Sequence, residues 1–148
     1  MTRWIDLPPV WLLVFLGLAR VQTVRLPVGG SGAWSDFAGG VLVGGGVLLM
    51  GLAVAEMRRQ RTTVIPHETP SMLVQTGIFR RSRNPIYLGD TLVLAGFVLF
   101  WGAWPSLLLV PLFMWLVTDR FIAPEEARME ETFGAAFDAY RAKVRRWV

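Results

Sequence analysis

Two short clusters hold the residues whose types and spacing could do chemistry. Residues 76–89, TGIFRRSRNPIYLG, run an arginine-dense polar segment straight into an apolar stretch through Asn84, Pro85 and Tyr87. Farther along, the adjacent carboxylates Glu125 and Glu126 follow the last long apolar block. The chain has no cysteine, which excludes a thiolate nucleophile and a Cys-ligated metal, and its one histidine, His67, leaves no Cys/His metal cluster. What remains are cations, carboxylates and aromatic faces, groups suited to binding and orienting a charged, partly apolar ligand.

Residues 62–85, TTVIPHETPSMLVQTGIFRRSRNP, contain three prolines and a glycine, so this segment is expected to be mostly loop with short turns. Its Met72, Leu73, Val74, Ile78 and Phe79 must nevertheless be buried somewhere. A fold back onto neighbouring helices would create a half-apolar pocket of the kind that suits an adenine ring and a thioether.

The elements that must position these clusters are apolar helices. At 148 residues the length fits a single domain, 1–148, yet 53% of the chain is hydrophobic, too much to hide inside so small a globule. The apolar residues fall in four blocks, 8–26, 37–55, 86–104 and 105–122, each close to the roughly 20 residues that cross about 30 Å of hydrocarbon. The fold class expected is therefore all-α, a polytopic membrane protein with four transmembrane helices. The first block lacks a small-residue cleavage site and reads as a retained span, with Arg20 near its end, where a long side chain can snorkel. The third and fourth blocks meet at WGAWP, a hairpin turn, and Pro111 is expected to kink the fourth. In the second block, Gly40 and Gly44 form a small-xxx-small pair, which serves either contact within the bundle or a homo-oligomer.

Residues 125–147 change character: Met129, Phe133, Phe137, Tyr140, Val144 and Trp147 recur every three or four positions between charges, the pattern of a C-terminal amphipathic cytoplasmic helix. It would either lie on the inner leaflet or pack as a lid over the central loop. Basic residues gather between the second and third blocks and after the fourth, whereas the first outer loop carries only Arg25. The positive-inside rule then places both termini and the central loop on the cytoplasmic side of the inner membrane. Charges that flank apolar spans, rather than covering a soluble face, also exclude nucleic acid as the partner and leave the lipid bilayer.

On its C-terminal 90 or so residues the chain resembles the isoprenylcysteine carboxyl methyltransferase and phospholipid methyltransferase superfamily. The resemblance rests on Ser71, Met72, Leu73 and Val74, then Gly77 and Phe79, then Arg83, Asn84, Pro85, Ile86, Tyr87 and Gly89. It continues in Glu125 and Glu126, followed by Phe133, Gly134 and Tyr140. It implies an S-adenosyl-L-methionine cofactor wrapped by the residues from Ser71 to Gly89 in this pattern, with Glu125 as a further contact. Asn84 stands where the eukaryotic pattern has His, and a side chain that does not titrate near neutral pH removes any proton shuttle there. Phe79 stands where Tyr is common, keeping a stacking face but losing a hydroxyl.

Methyl transfer is an in-line displacement that depends on proximity and desolvation, so a site without His or Cys is no obstacle. Within such a site Glu125 would pair with the cofactor's amino group. Glu126, Asn84 and Arg120 are the residues expected to touch the chemistry, Arg120 by holding an acceptor carboxylate or phosphate bidentately. Plainer duties stand beside these: acidic residues complement a helix start, Pro85 suits a first turn, and Arg120 suits an inner-leaflet anchor. Asp90, a carboxylate one turn into the third block, is a default functional candidate, and His67 reads as a hydrogen-bonding loop residue. The acceptor is a lipophilic small molecule or lipid bearing a carboxylate, thiol or amine. The alternatives are a phosphatidylethanolamine-type phospholipid N-methyltransferase and a non-enzymatic small helical membrane subunit.

Overall fold

The computed structural model describes residues 5–65 and 67–148; Pro66, part of the expected loop, lies outside the described residues. All regular structure among the described residues is helical: α1 (Pro8–Arg25), α2 (Ala33–Arg59), α3 (Pro85–Phe100), α4 (Leu109–Val117), α5 (Ala123–Phe133) and α6 (Ala135–Lys143). Two rods are long and apolar enough to cross a membrane, Ala33–Arg59 and Trp104–Phe133, while Pro85–Phe100 is apolar but shorter.

Helix α2 outruns its apolar block at both ends, so Glu56, Arg58 and Arg59 ride on its last turn. Pro8 and Pro85 each open a helix, where the missing N–H is not needed and the fixed φ is already helical. No break separates the fourth apolar block from the acidic pair. The chain passes from a 3-10 turn (Trp104–Leu108) into α4, through a π turn (Thr118–Ile122), and directly into α5. Pro124 explains the π turn, because its ring cannot donate to the carbonyl four residues back and would collide with it. The wider turn admits one extra residue and rotates the face beyond it by about 100°. Pro111 falls in the first turn of α4, at the junction with the 3-10 segment, where its missing N–H costs little.

The continuous amphipathic helix expected over 125–147 is in fact two. Gly134 adopts φ +52 and ψ −120, which ends α5 and starts α6 on a new axis. A side chain is disfavoured at that backbone geometry, so the periodic pattern is interrupted at the one residue that can make the corner.

Helix α3 is the hub, packed against α1, α2 and α4. One core joins Phe15 and Ala19 of α1, Leu94 and Val98 of α3, and Phe113 and Val117 of α4. On the opposite flank α2 and α3 touch backbone to backbone. A Cβ on Gly39 would lie 2.5 Å from the Gly96 carbonyl oxygen, and one on Gly46 would lie 2.6 Å from that of Gly89. The pair read from the sequence, Gly40 and Gly44, is one step off this seam and faces open space. Gly46→Ala is therefore expected to lower the thermal midpoint of the detergent-solubilised protein, an overpacking cost of roughly 1–3 kcal/mol. Gly40→Ala should shift stability by no more than about 0.5 kcal/mol.

Candidate functional site

A second core forms beyond the helix ends, where Ala53 of α2, Val74 and Phe79 of the central loop, Phe137 and Tyr140 of α6, and Val144 meet. The loop is held to the helices by polar bonds at its edges. Thr76 Oγ1 donates to Glu56 Oε1, and Gln60 Nε2 donates to Thr76 Oγ1 at 3.2 Å. Buried Tyr140 donates its hydroxyl to the Phe79 carbonyl at 2.6 Å. Burial raises the Tyr140 pKa above its ordinary value, so the phenol remains a donor.

The chain's last residues clamp the arginine-rich turn. Asn84 Nδ2 donates to the Arg146 carbonyl at 3.1 Å, and the Arg83 N–H donates to the Arg145 carbonyl at 3.1 Å. Glu126 closes the clamp: Arg83 Nη2 reaches Oε1 at 3.1 Å, while Arg146 bonds both oxygens, Nε at 3.0 Å and Nη2 at 2.7 Å. Such forked charge-assisted bonds fix orientation as well as adding energy. One position earlier, Glu125 accepts the Tyr87 hydroxyl at 2.7 Å, and the Tyr87 ring stacks on Phe121 of the π turn with centroids 6.3 Å apart.

These contacts surround a cavity of about 370 Å³, within the range of small-molecule sites. Met72, Val74 and Phe79 line it from the loop, Arg83 to Tyr87 from the start of α3, and Glu125, Glu126 and Met129 from α5. Four polar atoms on its wall are buried without a partner among the described residues: Thr62 Oγ1, Arg83 Nε, Arg128 Nε and Asp90 Oδ2. Two unused guanidinium donors, one unused carboxylate acceptor and a hydroxyl that can do either mark a site shaped for a ligand carrying both charges, since buried polar groups otherwise find partners.

Residues 34–136 match the phospholipid methyltransferase family, a stretch that includes α2 to α5 and both sides of the cavity. The chain belongs to that family. It is also 34% identical over 73 residues to protein-S-isoprenylcysteine O-methyltransferase of Schizosaccharomyces pombe, a match that takes in 49% of this chain and 31% of that protein. The matched stretch is thus about a third of the relative's length. No solved structure matches the chain. The superfamily resemblance carried by the two residue clusters is borne out.

Within this member of the family, several residues picked from the sequence stand away from the cavity. Ser71 donates to the Arg61 carbonyl at 3.3 Å on the surface, and Leu73 packs beneath the loop in the second core. Gly77 leaves room for Glu56, whose carboxylate a Cβ there would meet at 2.9 Å, and Gly89 makes the α2–α3 seam. Arg120 points elsewhere: its Nε donates to Asp6 Oδ1 at 2.5 Å, with the guanidinium 5.4 Å from the Trp11 ring centroid. The Arg120 hydrogen bond holds Asp6 below the usual carboxylate range. His67 also joins this corner, its Nε2 lying 3.0 Å from the Asp6 backbone oxygen.

Arg128 and Phe137 line the cavity and Arg146 braces Glu126 beside it, and the sequence reading singled out none of the three for the site. Burial pushes the Glu125 carboxyl above the usual carboxylate range, opposed by the Tyr87 hydroxyl bond and by the nearby Arg128 charge.

The Arg83 side chain is 9% exposed and Glu126 is 16% exposed, so removing the carboxylate strands a largely buried cation. Glu126→Ala is expected to cost about 1–3 kcal/mol, between the values for surface and fully buried pairs, read as a fall in the thermal unfolding midpoint. Arg146→Ala, which removes the partner that is 38% exposed, should cost less.

Proposed function

We propose that the protein is an S-adenosyl-L-methionine-dependent integral-membrane methyltransferase acting on a lipophilic acceptor at the cytoplasmic face of the inner membrane. In this reading α1, α2, α3 and the 104–122 segment each cross the bilayer, both termini are cytoplasmic, and residues 1–148 act as one domain. The outward apolar side chains support it: Leu13, Leu18 and Val21 on α1, Val47 and Leu48 on α2, and Leu112 and Trp115 on α4 are all exposed, as lipid-facing residues must be.

The observation that carries the cofactor assignment is the convergence of Glu125 with the unpartnered Arg83 Nε and Arg128 Nε on one part-apolar cavity. A carboxylate that can take an ammonium and two donors that can take a carboxylate match an amino-acid group, while Val74, Phe79, Met129 and Phe137 offer apolar and aromatic faces for an adenine. S-adenosylmethionine, when bound, supplies a methyl group on a cationic sulfur. The chain's own residues bind and orient. Tyr87 holds Glu125 in place by its hydroxyl bond, Glu126 holds Arg83, and Asn84 ties the tail over the site. Apolar walls from Met50 and Val54 of α2 exclude water and give a lipophilic acceptor a matching surface.

The acceptor group is a carboxylate, thiol or amine, and a phospholipid amine makes the reading a phosphatidylethanolamine-type N-methyltransferase. A Cβ on Gly40, Gly44 or Gly51 would meet no atom within 4 Å, so this surface is open, and a non-enzymatic membrane subunit that packs another helix against it is the rival reading.

Calorimetry with S-adenosylhomocysteine on the detergent-solubilised protein tests the assignment. Micromolar-range affinity is expected, weakened at least about tenfold by Glu125→Ala. A ligand ammonium needs Glu125 ionised, and burial raises that carboxyl's pKa. Proton and ligand therefore compete, so affinity should rise as the pH climbs through that raised pKa and be lost as the pH falls below it. No binding at any pH would leave the subunit reading.

A further inference from the structure

Arg120 turns away from the cavity, and what it meets there leads back to the site. Asp6 Oδ1 accepts the Arg120 Nε at 2.5 Å and the Trp11 indole N–H at 3.1 Å. The backbone oxygen of the same residue lies 3.0 Å from His67 Nε2. Asp6, just ahead of α1, thus grips the π turn with its side chain and the central loop with its main chain. His67 has φ +67, a left-handed conformation that is uncommon outside glycine and persists where the surroundings impose it, and the Asp6 contact is such a restraint.

Between the two grips lies Phe121. It is 1% exposed, with its ring centroid 5.7 Å from that of His67 and 6.3 Å from that of Tyr87. Tyr87 in turn donates to Glu125 at 2.7 Å. Packed rings and hydrogen bonds therefore run without a break from the N-terminal segment to the carboxylate in the cavity. Leu7, Pro8 and Pro9, the residues after Asp6, line the same cavity. All four lie outside residues 34–136, the stretch that matches the family.

We propose that Asp6 is a positioning residue for the cofactor site: by holding Arg120 and His67 on either side of Phe121 it seats the Tyr87 ring, and through the Tyr87 hydroxyl it keeps Glu125 aimed into the cavity. The proposal rests on the cofactor reading above and adds to it a residue that acts from outside the cavity wall. Asp6 and Arg120 are both part-exposed, so their ion pair contributes little to overall stability and its role is geometric.

Glu125 reports on the arrangement. The titratable groups around it are Tyr87 and Asp90 from α3, Glu126 and Arg128 from α5, and His67 and Arg83 from the loop. Burial, the largest influence, raises the Glu125 pKa and Glu126 adds to it, while the Tyr87 hydroxyl, Arg128 and His67 oppose them. Releasing Phe121 loosens the Tyr87 bond and the His67 contact, so the Glu125 pKa should rise. Deleting the negative charge of Asp6 would by itself act in the opposite sense, because a like charge disfavours ionisation. A rise therefore isolates the geometric effect.

The test uses the full chain in detergent with carboxyl-labelled glutamate, Glu125 being followed by NMR and assigned by its loss in Glu125→Gln. Asp6→Ala should move the Glu125 titration midpoint up, weaken S-adenosylhomocysteine about three- to tenfold at neutral pH, and leave the thermal midpoint within about 4 °C of wild type. Asp6→Glu, which keeps the carboxylate, should restore both site readouts in part. In a Tyr87→Phe background the last link is already cut, and there Asp6→Ala should no longer raise the midpoint or weaken binding further. Should Asp6→Ala not fold, Arg120→Gln takes its place, and its effect on affinity should be lost in the Tyr87→Phe background. A Glu125 midpoint that stays put or falls in folded Asp6→Ala, or an equal loss of affinity with and without the Tyr87 hydroxyl, would overturn the proposal. Failure of wild type to bind S-adenosylhomocysteine would instead sink the cofactor reading, with the Glu125 titration still deciding the path through Phe121.

Discussion

Glu126, held between the guanidiniums of Arg83 and Arg146, is the constraint on which the cap over the helix ends depends. One carboxylate joins three stretches of chain, the turn before α3, the first turn of α5 and the tail after α6. Because Arg83 and Glu126 are largely removed from water, their attraction is less screened than that of a surface pair. Around that point the second core fills with Phe79, Phe137 and Tyr140, and the cavity is what remains between this core and the ends of α2 and α3. Glu125, the neighbour of the clamped residue, is thereby pinned beside Tyr87 without needing its own ion pair.

Helix α3 makes the second contribution. Two glycine contacts draw it against α2, and a layer of Leu94, Val98, Phe113 and Val117 locks its other side. A helix so enclosed can hold Tyr87 and Asp90 on one face at fixed depth. The π turn forced by Pro124 does the complementary task on the facing rod, swinging its face so that Phe121 meets Tyr87 and α5 presents its acids to the cavity.

Much of this was legible in the residues. The arginine-rich turn and the acidic pair did come together, because both are short motifs whose residue types have few other uses in an apolar chain. Apolar spacing found the helices but not their seams. Six glycines crowd residues 39–51, and periodicity alone did not distinguish the pair at 40 and 44 from the one at 39 and 46, which only the facing Gly89 and Gly96 select. Likewise, spacing over 125–147 placed Met129, Phe133, Phe137, Tyr140 and Val144 on one apolar surface, yet missed that Gly134 divides it and that Trp147 packs against the first core instead. The long-range partners were not visible at all. Nothing local distinguishes Arg146 from its neighbour Arg145, or pairs Arg120 with Asp6, since a charge's partner is set by the fold and not by the adjacent sequence.

The central claim is that a single sulfonium nucleotide lies between the start of α3 and the start of α5. Ultraviolet cross-linking of the purified protein with radiolabelled S-adenosylmethionine, followed by peptide mapping, tests it most directly. The account predicts label confined to peptides spanning about 72–87 and 125–140, abolished by excess S-adenosylhomocysteine. Label that falls on the α1 or α4 peptides, or that survives competition, would contradict it.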